Sequence, residues 1–333
     1  MFQLSGFDHR TGHHCGTSAL RNLSEFHGWN FDEATCFGLG GGIASVTLDR
    51  ADRDWHEFLG RPLWLEEQFF ESLDIDYVRR EEDSFEDAWE SITGRLDMEE
   101  PVLLFLDPTE LDHVPATGHI SPHVALAIGY GDDALLLSDA TEPDAFELPI
   151  ADLNRSWSGG QIRDLNYSHI VVTDVQTGVD LETAANRAFR ETTTYMLDTR
   201  SYERRLGAAG DHGPDAIRTF ANRVGSWADR DDPIPPARHA RYSIEEHGRG
   251  AAFRRLYADA LDVLAPEAGV GGPVADRMRT IAEEWEAAAA AFGTAVSADD
   301  DAERRTALSE AEGALNGIAE QEHRFFKHAR DEF

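Results

Sequence analysis

Thr11-Gly12-His13-His14-Cys15-Gly16-Thr17-Ser18-Ala19-Leu20-Arg21-Asn22-Leu23 carries one of only two cysteines in the 333-residue chain. Ala19, Leu20, Leu23 and Phe26 recur at helical spacing, which predicts a helix over about 15–27 that begins at Cys15. A thiol at a helix N-terminus meets unpaired backbone N–H groups and the positive end of the macrodipole. That setting favours the thiolate, which is the nucleophilic form. A lone cysteine is more often a small buried apolar residue. Chemistry at Cys15 therefore requires a histidine and an acid supplied from elsewhere in the chain.

Those partners stand about a hundred residues on. Ser121-Pro122-His123-Val124-Ala125-Leu126-Ala127-Ile128-Gly129-Tyr130 and Ala134-Leu135-Leu136-Leu137-Ser138-Asp139 are apolar runs that flank Gly131-Asp132-Asp133, a hairpin signal. His123 begins the first strand and Asp139 ends the second. Antiparallel pairing brings these ends side by side, so Asp139 can accept from one imidazole nitrogen while the other faces Cys15. This is the nucleophile, base and orienter arrangement of covalent acyl chemistry. Taken singly, His123 reads as a polar strand-end residue and Asp139 as a strand-terminating turn; their joint placement with Cys15 favours a triad.

Around this core the chain divides in two. Residues 1–176 alternate helical and strand patterns: helices near 64–73 and after Ser84, strands near 75–78, 101–106 and 167–173, and a short helical turn from Phe31 to Phe37. From 177 to 333 the pattern is almost wholly helical, with helices expected at 180–197, 213–227, 242–264, 271–293 and 300–330. Breaks are expected at 207–213, 231–236 and 269–273. The fold class read from this is α+β, an N-terminal catalytic domain (1–176) followed by an all-α domain (177–333).

Asp and Glu number 63 against 30 Lys and Arg, a formal net charge of −33, and Lys327 is the sole lysine. Nucleic acid and anionic membrane both require a basic face, so neither is expected as a partner. The acid is spread along the chain and aromatic residues make up 10%, unlike a disordered acidic tail. A salt-rich cytoplasm, where screening removes self-repulsion, fits this composition. No apolar run reaches membrane-spanning length and no signal peptide is read at the N-terminus.

Gly38-Leu39-Gly40-Gly41-Gly42 lacks the lysine and hydroxyl of a phosphate loop and is read as a turn lining the cleft, with Gly40 and Gly41 as candidates. His9, His13, His14 and Cys15 form a single cluster without the second pair usual in zinc sites, so no metal and no cofactor are expected.

The run His14–Leu23, then Phe37–Gly42, Gly60-Arg61-Pro62, Asp107 with Leu111-Asp112, and His119-Ile120-Ser121-Pro122-His123 resembles the N-terminal family of butirosin biosynthesis protein H (BtrH). Ile244–Asp259 resembles the DUF4872 domain that often follows it. The resemblance implies a papain-like cysteine fold similar to C39 peptidases, with Cys15 as nucleophile, His123 as base and Asp139 as orienter. Its named member is an acyltransferase that moves an acyl group from a carrier-protein thioester to an amine. The implied partners are thus an acyl carrier protein or other thioester donor and a small-molecule or peptide amine. Candidate substrate-binding residues within the matching stretches are Asp107, His119, Arg254 and Tyr257. Two departures stand out. Arg249, Ala251 and Ala252 occupy a run that is richer in glycine in the family. No papain-type glutamine precedes Cys15; His9 stands six residues before it, so oxyanion donors are expected from the Cys15 backbone N–H together with His9 or His14. The same triad would serve a cysteine peptidase or amide hydrolase, and a silent binding protein of this fold is the non-enzymatic alternative.

Overall fold

The structure, a computed structural model, describes residues 2–48, 55, 57–114, 121–159, 165–198, 205, 211–271 and 273–332. The chain forms two compact units, Met1–Cys36 with Phe69–Asp180, and Phe37–Gln68 with Leu181–Phe333.

The first unit is a seven-stranded antiparallel sheet with helices packed on it. Its strands are β1 (Phe2–Gln3), β4 (Tyr77–Arg80), β5 (Val102–Leu106), β6 (His123–Tyr130), β7 (Ala134–Ser138), β8 (Phe146–Pro149) and β9 (His169–Val172). They lie in the order β4-β9-β5-β6-β7-β8, with β1 on the end of β6. Every residue of β5 and β7 is buried, as is β6 up to its last residue, which accounts for their unbroken apolar sequences. Helices α1 (Cys15–His27), α4 (Phe85–Leu96) and α5 (Ile150–Ser158) cover these central strands. Ser84 caps α4: its side chain accepts the Asp87 N–H. β8 and α5 were not apparent from the sequence; Phe146–Pro149 is too short and too mixed in polarity to register as a strand.

The second unit holds the helices α6 (Leu181–Leu197), α7 (Pro214–Trp227), α8 (Ile234–Tyr242), α9 (Arg254–Glu267), α10 (Val274–Ser297) and α11 (Asp301–Glu332). It also holds the small hairpin β2 (Val46–Leu48) and β3 (Glu57–Leu59). The remaining helices, α2 (Glu33–Leu39) and α3 (Leu65–Leu73), carry the chain from one unit into the other and back. The boundary expected near 176 is thus corrected in one respect: Phe37–Gln68 belongs with the helices. Phe37 stacks on Phe253, and Phe58 lies between Phe220 and Trp285, with ring centroids 4.9–5.6 Å apart. Burying such rings is worth about 1.5–3 kcal/mol each, and these partners lie some two hundred residues away in sequence, beyond the reach of local patterning.

Two helical expectations also change. The break at 231–236 starts α8 at Ile234, because Pro235 and Pro236 fall in the first turn, where no N–H is needed. The helix expected over 242–264 is interrupted by a π-helical turn, Ser243–His247, and a tight loop in which Arg249, Ala252 and Phe253 adopt φ of 53°, 48° and 71°. Non-glycine residues rarely enter that region. Arg254, fully buried, pins this loop by donating to the Ala252 carbonyl (2.7 Å) and the Gly60 carbonyl (3.1 Å). It also donates to Ser45 Oγ (2.7 Å) and to both Glu322 oxygens (2.8 and 2.9 Å). Trp285 Nε1 donates to Glu322 as well (2.8 Å). A buried pair of this kind stabilises only while both partners are present. Glu322→Ala is expected to cost about 3–5 kcal/mol in urea denaturation, and the double change Arg254→Met with Glu322→Leu to recover most of that loss.

Candidate active site

Cys15 is the first residue of α1, as its sequence predicts. The turn before it is held by a carboxylate from α2. Glu33, itself buried, accepts the backbone N–H groups of His13 (2.9 Å) and His14 (2.8 Å) and the hydroxyls of Thr17 (3.1 Å) and Ser18 (2.9 Å). Gly12 is required here, because a Cβ would run into Ser18 and Glu33. His14 is the N-cap, and its Nδ1 accepts the Thr17 N–H (3.3 Å).

The same segment is tied to the end of β7. The Gly12 N–H donates to the Ala140 carbonyl (3.3 Å), and Arg21 donates to the carbonyls of Arg10 (2.6 Å) and Thr11 (3.0 Å). His9 bonds Ser138 Oγ through Nδ1 (2.7 Å) and the Glu142 carbonyl through Nε2 (2.9 Å). These bonds correct the reading of His9 as an oxyanion donor: both of its ring nitrogens are engaged, one of them with a backbone carbonyl. The N–H groups of His13 and His14 are likewise taken by Glu33.

His123 opens β6 and Asp139 follows β7, both buried. Their contact depends on a bulge. Tyr130 pairs with Leu135 and Gly129 with Leu136, but Ala127 pairs with Leu137 and Leu126 with Ser138, so Ile128 is the extra residue. Continuing this register sets Asp139 opposite Ala125, two positions from His123 and on the same face of the sheet. Without the extra residue Asp139 would pair with Leu126 and point to the other face, since side chains alternate with period two. Gly129 suits the bulge, because a Cβ there would strike the backbone of β1 at Phe2.

The result is a hydrogen bond from His123 Nε2 to Asp139 Oδ2 of 2.6 Å. Nδ1 is left for Cys15, which hydrogen bonds to His123. Burial opposes a charged imidazole, but the Asp139 carboxylate and its hydrogen bond, together with the bond and charge of Cys15, push His123 up to about 10. Burial likewise opposes the Asp139 anion, and His123, His113 and the Thr141 N–H hold that carboxyl well below its usual range. Thr141 donates to Oδ1 through its N–H (3.0 Å) and its hydroxyl (2.9 Å).

His113 was not singled out from the sequence. It follows a 3₁₀ turn and donates through Nε2 to the same Asp139 Oδ2, at 3.1 Å, with its ring edge-on to Phe146 at 4.6 Å. The irregular stretch around it has no periodicity to mark a site.

The other candidates are placed as follows. Asp107 ends β5, one residue past the Leu106–His123 pair; its Oδ1 accepts from the Thr109 N–H (2.8 Å) and hydroxyl (2.7 Å). His119 lies outside the described residues. Gly40, Gly41, Arg254 and Tyr257 belong to the second unit. A Cβ on Gly40 would strike Leu65, and Gly41 is left-handed at φ 80° with its carbonyl bonded to Thr192 (2.7 Å), so packing accounts for both. Arg254 spends its N–H donors on the contacts given above, and Tyr257 is buried against Gly42. Neither reads as substrate-binding. Cys36 is fully buried, which with the nearby Asp32 pushes its thiol well above the ordinary range; neither cysteine is in a disulfide.

Fold and site together bring a cysteine, a histidine and an aspartate into one centre in the nucleophile, base and orienter arrangement. The chain belongs to the DUF4872 family, whose model matches residues 159–329. Residues 14–140 match the model described as butirosin biosynthesis protein H, N-terminal. A solved structure described as a C39-like peptidase from Bacillus anthracis is similar at 14% identity and a TM-score of 0.38, covering 52% of this chain and 97% of its own. A comparison with curated proteins gave no match.

Because the His123 value lies above that of a free imidazole (6.5), its pairing stabilises the fold fully below about pH 6.5, and the contribution is lost as pH rises through about 10. The ring carbon protons of His123 in NMR should therefore report an imidazolium at pH 8, and Asp139→Asn should lower the midpoint. Under native conditions iodoacetamide should label Cys15 and spare Cys36, as read by peptide mass spectrometry.

Proposed function

We propose that this chain is a cysteine-dependent acyltransferase that carries the acyl group on Cys15. The observation that carries this reading is His123 set between Cys15 and a fully hydrogen-bonded Asp139. The Cys15 thiolate attacks the carbonyl of a thioester donor, and the donor's thiolate leaves with the proton held by His123. The Cys15 backbone N–H faces the oxyanion at the helix terminus. An amine then attacks acyl-Cys15, His123 takes its proton, and the Cys15 thiolate is released. Thioester exchange is nearly isoenergetic, which suits an acyl carrier protein or another thioester as donor. The proposed acceptor is a small-molecule or peptide amine.

The proposed setting is a salt-rich cytoplasm. The approach of an acidic carrier protein to a chain of charge −33 would be opposed in dilute buffer. At molar salt the Debye length falls to about 3 Å and that repulsion is screened. The melting temperature is expected to rise from dilute buffer to molar KCl; equal values would remove the high-salt reading.

Incubation with an acyl thioester should give an acyl adduct on Cys15 that is absent from Cys15→Ala, seen by intact mass. His123→Ala should slow its formation by about 10²–10⁴-fold. Added amines should then be acylated in preference to hydrolysis. Hydrolysis that dominates at saturating amine would make the chain an amide or thioester hydrolase, and an adduct unchanged in Cys15→Ala would refute the mechanism.

A further inference from the structure

Asp139 Oδ2 accepts from two imidazoles, His123 Nε2 at 2.6 Å and His113 Nε2 at 3.1 Å. The three ligand-type atoms lie within 4.8 Å of one another. We propose that this triangle captures a divalent transition-metal ion of the zinc class, and that the ion turns the site off by taking His123 Nε2 from Asp139. The switching role rests on the acyl-transfer reading above; the binding site does not.

Four features support the site. Two imidazole nitrogens and one carboxylate oxygen are the donor set that zinc and cobalt prefer over magnesium or calcium. Bonds of about 2.0–2.1 Å in tetrahedral geometry set ligand atoms about 3.3 Å apart. Two separations, 2.6 and 3.1 Å, fall just short of that value and the third is within 4.8 Å, so side-chain shifts on the order of an ångström would close the triangle on an ion. The ligands are braced: Thr141 fixes Asp139 through Oδ1, leaving Oδ2 for the ion, and Phe146 fixes the His113 ring. His113, only part-buried, is the accessible corner, while His123 and Asp139 are buried. Binding replaces two N–H···O bonds with three metal–ligand bonds: the His123 imidazolium gives its Nε2 proton to solvent and keeps the one on Nδ1, and the His113 Nε2 proton moves to that ring's Nδ1, so both rings coordinate as neutral imidazoles. Cys15 meets the opposite ring nitrogen, so the site needs no thiolate. This distinguishes it from capture of a metal by a reactive cysteine.

Titration of the purified full chain with Co²⁺, followed by its visible ligand-field absorption, tests this without any substrate. One saturable, Zn²⁺-displaceable equivalent is expected in the unaltered chain and in Cys15→Ala, with no thiolate-to-cobalt charge-transfer band. Affinity should fall by about tenfold or more in His113→Ala and in His113→Gln, the second keeping a polar side chain of similar reach. Absence of saturable binding, binding unchanged in both His113 variants, or binding lost in Cys15→Ala would overturn the proposal. Because the readout is the resting protein's spectrum, failure of the metal site and failure of acyl transfer are separate results. If the site binds, micromolar Zn²⁺ should also suppress acylation of Cys15 in the unaltered chain, with relief by a chelator; acylation unaffected at saturating Zn²⁺ would overturn the switching role.

Discussion

One extra residue in β6 decides whether this molecule has a site at all. Ile128 shifts the pairing of β6 with β7 by a single position, and in a pleated sheet a single position exchanges one face for the other. Asp139 thereby comes to the face that carries His123. The bulge has its own support. Gly129 lets β1 lie directly against the strand, and the Leu4 N–H donates to the Ile128 carbonyl (2.9 Å), which the bulge leaves outside the β6–β7 ladder pairs. The two residues of β1 and the Leu4 that follows them are thus part of the device that aims a carboxylate more than a hundred residues away.

Electrostatics then divides the work between two buried carboxylates. Asp139 holds a cationic imidazole, and its remaining oxygen is satisfied by Thr141, so the anion has no reason to move. Glu33 has a different part. It takes the N–H groups that precede α1 and the first-turn hydroxyls, fixing the backbone that presents Cys15. A negative charge there also opposes a nearby thiolate, which makes the neighbouring His123 cation the stabilising element of the pair. Arg21 partly offsets Glu33 at 3.8 Å and is itself drawn in to hold the loop carbonyls at residues 10 and 11.

Much of this was legible in the sequence, and the reasons are local. Cys15 at a helix start follows from helical spacing, and a hairpin across Gly131–Asp133 follows from two apolar runs around a turn. The contact of His123 with Asp139 was anticipated from strand ends alone, although that argument is incomplete without the bulge. Ile128 looks like any other strand residue; only the pairing partners disclose it. His113 and Glu33 were invisible for a similar reason: His113 acts on Asp139, 26 residues away, and Glu33 on a turn and helix start 15 to 20 residues before it. The family resemblance drew Arg254 and Tyr257 into the substrate-binding set, whereas their surroundings show that residues in a matching motif can be retained for packing. In the second unit Arg249, Ala252 and Phe253 are left-handed, and Arg254 braces this turn by donating to the Ala252 carbonyl.

The acid surplus and the internal cations form one pattern. Arg254 is committed to Glu322, Arg255 to Glu286, and Arg279 sits among Asp259, Asp262 and Asp276. Arginines placed this way hold elements together without offering a broad basic face to a partner. Exposed pairs are individually weak, about 0.2–1 kcal/mol, and weaken further with salt. What salt chiefly relieves is the repulsion among the many carboxylates that have no cation at hand. The buried pairs at Arg254 and at His123 are screened far less, since solvent ions do not reach them. In the salt-rich setting proposed above, added salt would act at the surface while the geometry around Cys15 stays governed by buried contacts that solvent ions do not reach.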